Sequence, residues 1–307
     1  MRELVFLPVF LTVLAALVRA RARVGALGVV GGLLAFAAFA CGGYLDVPSP
    51  LRGAVSLYGI ALFGKTLALG RRLRGGIGFG RGLAFLVLWP GLDPERAFVT
   101  DPRASRRRGL LAAIGGASEV LAGLVFMGFA SRWGWLDAGP FVPAWCRLLS
   151  FGTFLHGGFL GMEGALEAMG FRPERIFREP WKARDLADFW GNRWNRFVGK
   201  SLALEVYAPA KRVVGRGAAL GATFLVSGTL HEVLLFGSTV GPFGRYLLFF
   251  SAHGLAVAAT VALRAKPGGR AFRYAVAWAI LLATAPLFFG GCYPDVAPFE
   301  RVFGAPR

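Results

Sequence analysis

Residues 218–236 read Ala-Ala-Leu-Gly-Ala-Thr-Phe-Leu-Val-Ser-Gly-Thr-Leu-His-Glu-Val-Leu-Leu-Phe, an apolar run that contains His231 directly before Glu232. A run of this length is close to the roughly 20 residues that a helix needs to cross the hydrocarbon core of a bilayer. A charged side chain at that depth costs about 2.5–3.5 kcal/mol on insertion scales, so a His-Glu pair there indicates a polar cavity or a chemical role. The run therefore predicts a membrane-spanning helix with a reactive or binding centre.

Similar apolar runs recur along nearly the whole chain. Of its 307 residues, 55% are hydrophobic and 17% are charged, and the mean hydropathy is +0.56. This is more apolar material than a soluble domain of this size carries. We predict an all-α, polytopic integral membrane protein with about eight transmembrane helices, forming a single membrane-embedded domain over residues 1–307. The predicted spans are 4–18, 24–41, 51–70, 109–130, 144–162, 217–236, 245–263 and 273–290.

Two further segments are predicted to lie at the membrane without crossing it. Residues 82–91 are too few to cross and end in Trp89-Pro-Gly91, which breaks a helix, so we interpret them as re-entrant or interfacial. In the long loop 163–216, apolar and basic residues occupy opposite faces of a helical pattern, which predicts an amphipathic cytoplasmic helix in the interface. The apolar face holds Leu186, Phe189, Trp190, Trp194, Phe197 and Val198, and the basic face holds Arg193, Arg196 and Lys200.

The formal charge of +18 lies in short clusters between the apolar runs. We interpret the clusters as topology signals rather than a nucleic-acid surface, which makes the basic loops cytoplasmic and places both termini outside, in a bacterial inner membrane or an ER-type membrane. Some of these charges also suit phosphates or anionic lipid headgroups. The three cysteines, Cys41, Cys146 and Cys292, have no metal-ligand spacing, so we predict no metal site. Segment 4–18 has the length of a signal peptide, but an anchor is preferred because further spans follow.

Three sequence elements occur in order within the motif core, residues 182–236. They are Phe189-Trp-Gly-Asn-Arg-Trp-Asn195, Tyr207-Ala-Pro209 and Ser227-Gly-Thr-Leu-His-Glu232. Together they resemble the membrane-bound O-acyltransferase family, and within it the wax-synthase-like branch, whose pattern is similar to F-W-G-x-R-W-N, Y-x-P and S-G-x-x-H-E. The resemblance implies that a fatty acyl group moves from acyl-CoA to the hydroxyl of a lipid alcohol, with a long-chain fatty alcohol as the expected acceptor.

The resemblance also assigns roles to residues. It implies that His231 is the active-site histidine and Asn195 its paired asparagine, with Asn192 as a competing assignment. Acyl-CoA is then a co-substrate and no cofactor is expected. The predicted substrate-binding set is completed by Trp190, Arg193, Trp194, Arg196, Lys200 and Glu232. The candidates for the phosphates of coenzyme A are Lys182, Arg184, Arg193, Arg196, Lys200, Lys211 and Arg212.

The chemistry of these residue types agrees with that assignment. His231 lies fifteen residues after Arg216, about 22 Å along a helix and past the midpoint of a bilayer core. Acyl transfer to a hydroxyl needs a base that takes the alcohol proton and donors that stabilise an oxyanion. A neutral imidazole supplies the base and an asparagine amide supplies two donors. Glu232 either fixes the imidazole tautomer or bonds to a neighbouring helix.

Other polar residues within predicted spans leave alternatives open. His156 and His253 are interpreted as packing residues or helix–helix hydrogen bonds. Lys65 and Glu119 suit either a structural pair or a pocket. A transporter or channel with a His/Glu pathway is the alternative from another functional class, and a sterol or diacylglycerol is an alternative acceptor.

Overall fold

The computed structural model of the chain describes residues 30, 31, 33, 58, 59, 61–69, 78–235, 243–263 and 269–290. Regular structure in these ranges is helical, and the single β-type feature found there is an isolated bridge between Thr100 and Phe171. The prediction of a helical protein is therefore confirmed for the described part of the chain. Helices longer than one turn include α1 (Phe79–Leu88), α2 (Arg106–Arg132), α3 (Phe141–Ala168), α4 (Arg196–Leu202), α5 (Ala208–Leu235), α6 (Arg245–Leu263) and α7 (Arg270–Phe289).

Helices occupy the five predicted spans that lie within the described residues. Segments 109–130 and 144–162 fall inside α2 and α3, and 245–263 and 273–290 coincide with α6 and α7 to within three residues at each end. The span 217–236 covers the C-terminal part of α5, which begins nine residues earlier, at Ala208. Spans 4–18 and 24–41 and the first part of 51–70 lie almost wholly outside the described residues, as do Cys41, Cys292 and several basic clusters. The number of eight crossings stays a prediction.

Three stretches are long and apolar enough to cross a membrane among the residues described. They are α2, the helical stretch Arg196–Glu232, and α7, while Phe79–Leu88 and Arg245–Val261 are shorter apolar helices. Only 17% of the most apolar window of α2 is buried within the protein. Its exposed side chains include Leu111, Ile114 and Leu121, so this surface suits contact with lipid.

The described residues pack as two compact units. The first holds those within Met1–Leu111, Glu163–Glu174 and Val233–Ser238, and the second those within Ala112–Met162, Arg175–Glu232 and Thr239–Arg307. The single domain over residues 1–307 stays a prediction.

In the first unit, α1 ends where the sequence predicts a break. Trp89 is extended (φ −80°, ψ 130°) because Pro90 disfavours helical geometry in the residue before it. The ammonium of Lys65 donates to the carbonyls of Phe85 and Leu86 at 3.1 and 2.9 Å, which the end of the helix leaves without intrahelical partners. Lys65 is 5% exposed and is thus a structural cap of α1.

In the second unit, α2 and α3 approach each other through small residues. A Cβ added to Gly116 would overlap the backbone of Gly157 and Gly161, and one added to Gly123 would lie 2.9 Å from the carbonyl oxygen of Ser150. Small residues allow helix backbones to approach closely in a membrane, where packing and hydrogen bonds replace the hydrophobic driving force. This contact sets which α2 and α3 side chains meet.

The predicted amphipathic helix is wrong as a continuous element. Leu186–Asp188 form one helical turn and Phe189–Arg193 a wider π-type turn, after which the chain breaks before α4 begins at Arg196. The predicted apolar face lies inside the protein. Its residues Leu186 and Phe189 belong to a buried cluster with Phe224, Phe250 and Leu281 of the following helices. Periodicity alone could not distinguish this core from a lipid interface.

The stretch that carries His231 begins after a kink. Within α5, Gly215 has non-helical angles (φ 79°, ψ 175°), a left-handed φ that glycine adopts without steric cost. The predicted span at 217–236 therefore starts two residues beyond the kink, and Tyr207-Ala-Pro209 lies at the passage from a π-type turn to the start of α5.

Candidate active site

Asp188 organises the first motif from a buried position. Its carboxylate accepts hydrogen bonds from the Arg184 backbone N–H (3.0 Å), the Asn192 amide (3.1 Å) and the Arg193 Nε (2.8 Å). Burial raises the pKa of Asp188, but these donors outweigh it and lower the pKa to about 2. Asn192, the competing candidate for the paired asparagine, is thus hydrogen-bonded to Asp188.

The chain breaks at Trp194 and Asn195. Trp194 is extended, and Asn195 adopts left-handed angles (φ 36°, ψ 61°) while its side chain accepts from the Val198 N–H at 3.3 Å. Asparagine is among the few residues that tolerate this conformation, and it is a favoured N-cap. Asn195 thus starts α4, and its amide nitrogen makes no hydrogen bond to any described residue.

A strap of backbone hydrogen bonds holds this break on both sides. The Arg178 N–H donates to the Arg193 carbonyl at 2.9 Å, and the Arg196 N–H donates to the Ile176 carbonyl at 2.8 Å. The guanidinium groups reinforce the strap, since Arg193 donates to the Glu179 carbonyl and Arg196 to the Arg175 carbonyl. Both arginines, predicted to bind phosphates, are therefore engaged in local structure, whereas Lys200 lies on α4.

The two motif tryptophans pack into the protein. Trp194 stacks on Phe189 with ring centroids 5.5 Å apart. Trp190 donates from Nε1 to Nδ1 of His253 at 2.9 Å, and Nε2 of His253 is 2.8 Å from the Thr284 hydroxyl. His253 is fully buried, and its predicted role as a helix–helix hydrogen bond is confirmed.

The third sequence element, Ser227–Glu232, fixes the tautomer of His231. Its Nδ1 is 2.7 Å from the Ser227 carbonyl oxygen, one helical turn earlier in α5. A carbonyl only accepts, so Nδ1 carries the proton and, in the neutral imidazole, Nε2 carries the lone pair. Nε2 is therefore the atom available to act as a base.

Glu232 forms hydrogen bonds to the next helix, α6, and not to the His231 imidazole. Its carboxylate oxygen Oε1 accepts from the N–H groups of Tyr246 (2.6 Å) and Leu247 (3.2 Å), in the first turn of α6, where such groups lack intrahelical partners. Gly228 makes room for this contact, because a Cβ there would lie 3.0 Å from the Leu247 Cα. Of the two predicted roles for Glu232, the structure has the bond to a neighbouring helix.

Aromatic rings surround His231 and link the third sequence element to the first. The centroids of Phe250, Phe288 and Tyr246 lie 4.5, 5.5 and 6.3 Å from that of His231. Phe250 also lies 5.8 Å from Trp190, so one ring lies between the histidine and the first motif. His231 and Asn195, the predicted catalytic pair, share no hydrogen bond among the described residues, and their joint role stays a prediction.

The helix–helix hydrogen bond predicted for His156 is confirmed, and its partner, Glu119, is one that sequence reasoning missed. Nδ1 of His156 bonds to Oε2 of Glu119. Glu119 lies thirteen residues before the end of α2 and His156 fifteen residues after the start of α3, so two adjacent antiparallel helices place them at similar depth. The positions of Glu119 and His156 along the two predicted spans were therefore a signal of this pairing in the sequence.

Comparison with known proteins places all three sequence elements in one matched region. Residues 173–252 match the model of the "Membrane bound O-acyl transferase family", and this region contains Asn195, His231 and the start of α6. The resemblance to that family is confirmed.

Individual relatives agree with the family match. The chain is 43% identical over 105 residues to "Probable long-chain-alcohol O-fatty-acyltransferase 6" of Arabidopsis thaliana, covering 32% of this chain and 30% of that protein. It is 39% identical over 126 residues to the protein numbered 7 in the same series, covering 38% and 37%. It is 36% identical over 103 residues to "Long-chain-alcohol O-fatty-acyltransferase" of Simmondsia chinensis, covering 31% and 29%. The matched segments thus span about a third of each relative.

Proposed function

We propose that this protein is a membrane-bound O-acyltransferase that moves a fatty acyl group from acyl-CoA to the hydroxyl of a long-chain alcohol. The observation that carries the proposal is the hydrogen bond from His231 Nδ1 to the Ser227 carbonyl. It leaves Nε2 as a base within an aromatic surround. The names of the similar proteins support the choice of a long-chain alcohol as acceptor.

In the proposed reaction, Nε2 of His231 takes the proton of the alcohol as its oxygen attacks the thioester carbonyl carbon. The new C–O bond converts the carbonyl to a tetrahedral oxyanion, which collapses with breakage of the C–S bond. The coenzyme A thiolate leaves and takes up the proton from the imidazolium. One imidazole thus serves as base and then as acid, without a net change in its protonation.

Asn195 is proposed to donate to the thioester oxygen. Its carbonyl oxygen is committed to the Val198 N–H, which fixes the plane of the amide and leaves its NH₂ group as the donor. A donor fixed in advance stabilises a developing oxyanion more effectively than one that must reorganise.

The phosphates of coenzyme A are proposed to bind Lys211 and Arg212. Both side chains are exposed in the first turns of α5, before the kink at Gly215. Arg193 and Arg196, in contrast, already bond to backbone carbonyls of the strap.

The test uses purified protein, labelled acyl-CoA and a panel of a long-chain alcohol, a sterol and a diacylglycerol, with the product identified by mass spectrometry. We expect ester formation that depends on the long-chain alcohol and is lost in His231→Ala. The matched control is Thr229→Ala, because the Thr229 hydroxyl bonds only to the Leu225 carbonyl of its own helix. Release of coenzyme A that does not depend on any acceptor would contradict the proposal.

A further inference from the structure

Glu119 and His156 form an imidazole–carboxylate pair that the proposed mechanism does not use. Nδ1 of His156 meets Oε2 of Glu119 across the α2–α3 contact, and the two side chains are 11% and 33% exposed. Ionisable groups in such apolar helices mark functional sites more often than surface groups do. The pair is therefore the strongest feature outside the His231 centre.

With His156 neutral, the pair offers hydrogen-bond acceptors only. A carboxylate only accepts, so Nδ1 of His156 holds the proton and, in the neutral imidazole, Nε2 is an acceptor. Among the described residues, neither Nε2 of His156 nor the second oxygen of Glu119 has a hydrogen-bond partner. A ligand here must bring its own donor.

Aromatic rings line one side of the imidazole. The ring centroids of Trp181 and Phe177 lie 5.0 and 6.3 Å from that of His156, and Phe159 packs 5.6 Å from Phe177. These rings suit an alkyl chain next to the polar pair. They differ from the Phe250, Phe288 and Tyr246 rings around His231, so the two histidines occupy separate environments.

We infer that the Glu119–His156 pair is a second binding site that takes the hydroxyl group of a lipid alcohol. The two acceptor atoms suit an O–H donor, and a carboxylate repels a phosphate or another carboxylate. An alcohol needs a single acceptor, and its chain can lie along Trp181 and Phe177.

The test measures binding without acyl transfer. His231→Ala protein, given no acyl donor, is irradiated with a long-chain alcohol that carries a diazirine in its alkyl chain, and adducts are mapped by mass spectrometry. The matched probe is the methyl ether of the same alcohol, which keeps the chain and lacks the O–H. We expect alcohol adducts within residues 159–181 at least about tenfold above ether adducts, because the ether cannot donate to a charged acceptor.

A double variant tests the polar groups themselves. Glu119→Leu with His156→Phe removes both partners together, which avoids leaving one buried group unpaired. It should abolish the preference for the alcohol, whereas Ser118→Ala and Thr153→Ala should keep it, since both hydroxyls bond only within their own helices.

Either of two results would overturn the inference. One is equal labelling by alcohol and ether when Glu119 and His156 are unaltered, a result that does not depend on the folding of the double variant. The other is a retained preference in the folded double variant, which would make the pair structural. Because the assay forms no ester, both results are independent of whether the proposed acyl transfer occurs.

Discussion

The imidazole of His231 donates its Nδ1 proton to the carbonyl oxygen of Ser227, 2.7 Å away and one turn earlier in α5. The same motif supplies Gly228, where a Cβ would lie 3.0 Å from the Leu247 Cα of α6, and Glu232, which caps α6. The six residues Ser227–Glu232 thus set the tautomer of His231, the contact between α5 and α6, and the position of the aromatic rings around the imidazole.

Replacing His231 with alanine should lower the turnover number by about 10²–10⁴-fold, the usual contribution of a positioned base. The thermal unfolding midpoint should change little, because the substitution makes the span more apolar. Both are measured on detergent-purified protein beside Thr229→Ala, which should retain turnover. Near-normal ester formation by folded His231→Ala would assign the base to another residue.

Changes at Asn195 separate the helix cap from the chemistry. Asn195→Asp keeps a cap acceptor and tolerates left-handed angles but lacks the NH₂ donor, so we expect a near-normal unfolding midpoint with reduced turnover. Asn195→Ala loses the cap as well, at a cost of about 1 kcal/mol, and should lower both quantities. If Asn195→Asp kept full turnover, the asparagine would be structural only.

Glu232 should affect stability more than chemistry. Glu232→Gln keeps an oxygen that accepts from the Tyr246 and Leu247 N–H groups, whereas Glu232→Ala leaves both without it, at about 1–3 kcal/mol for each unsatisfied group. We expect the unfolding midpoint to fall clearly in the alanine variant and slightly in the glutamine variant. A large loss of turnover in Glu232→Gln at an unchanged midpoint would instead place Glu232 in the reaction.

Substitutions of basic residues should have different effects, depending on whether the residue binds phosphates or stabilises the fold. Lys211→Gln with Arg212→Gln should raise the KM for acyl-CoA at an unchanged unfolding midpoint, because exposed charges that bind phosphates act uniformly on ground and transition states. Arg193→Gln should lower the midpoint, since it breaks the bond to buried Asp188. An unchanged KM for acyl-CoA in the Lys211/Arg212 variant would indicate that these two charges act only as topology signals.

Asp188 predicts a pH dependence of stability. Because its pKa is lowered from 3.8 to about 2, its ionised form stabilises the fold at pH values above about 4. That stabilisation is lost as the pH falls toward 2. We expect the unfolding midpoint to fall over this window, and to fall less in Asp188→Asn, which does not titrate. Identical pH profiles for the two proteins would exclude Asp188 as the cause.

The sequence by itself determined the helical class, the apolar runs that become α2, α3, α5, α6 and α7, and the break at Trp89-Pro90. These are local: hydrophobic periodicity and the steric effect of proline act within one segment. The motif spacing also placed the matched region correctly, because residue types at fixed intervals identify a family without any coordinates.

Tertiary structure alone decided what each polar side chain does. Arg193 and Asn192 meet Asp188, Lys65 caps α1, Glu232 caps α6 and Glu119 pairs with His156. Spacing along the chain leaves the partner of a polar group open, because burial makes a hydrogen bond obligatory without saying which neighbour supplies it. The amphipathic pattern at 186–200 led to a wrong prediction because periodicity does not identify what covers an apolar face. An apolar face must be covered, and only the packing of α5, α6 and α7 showed that protein, rather than lipid, covers it.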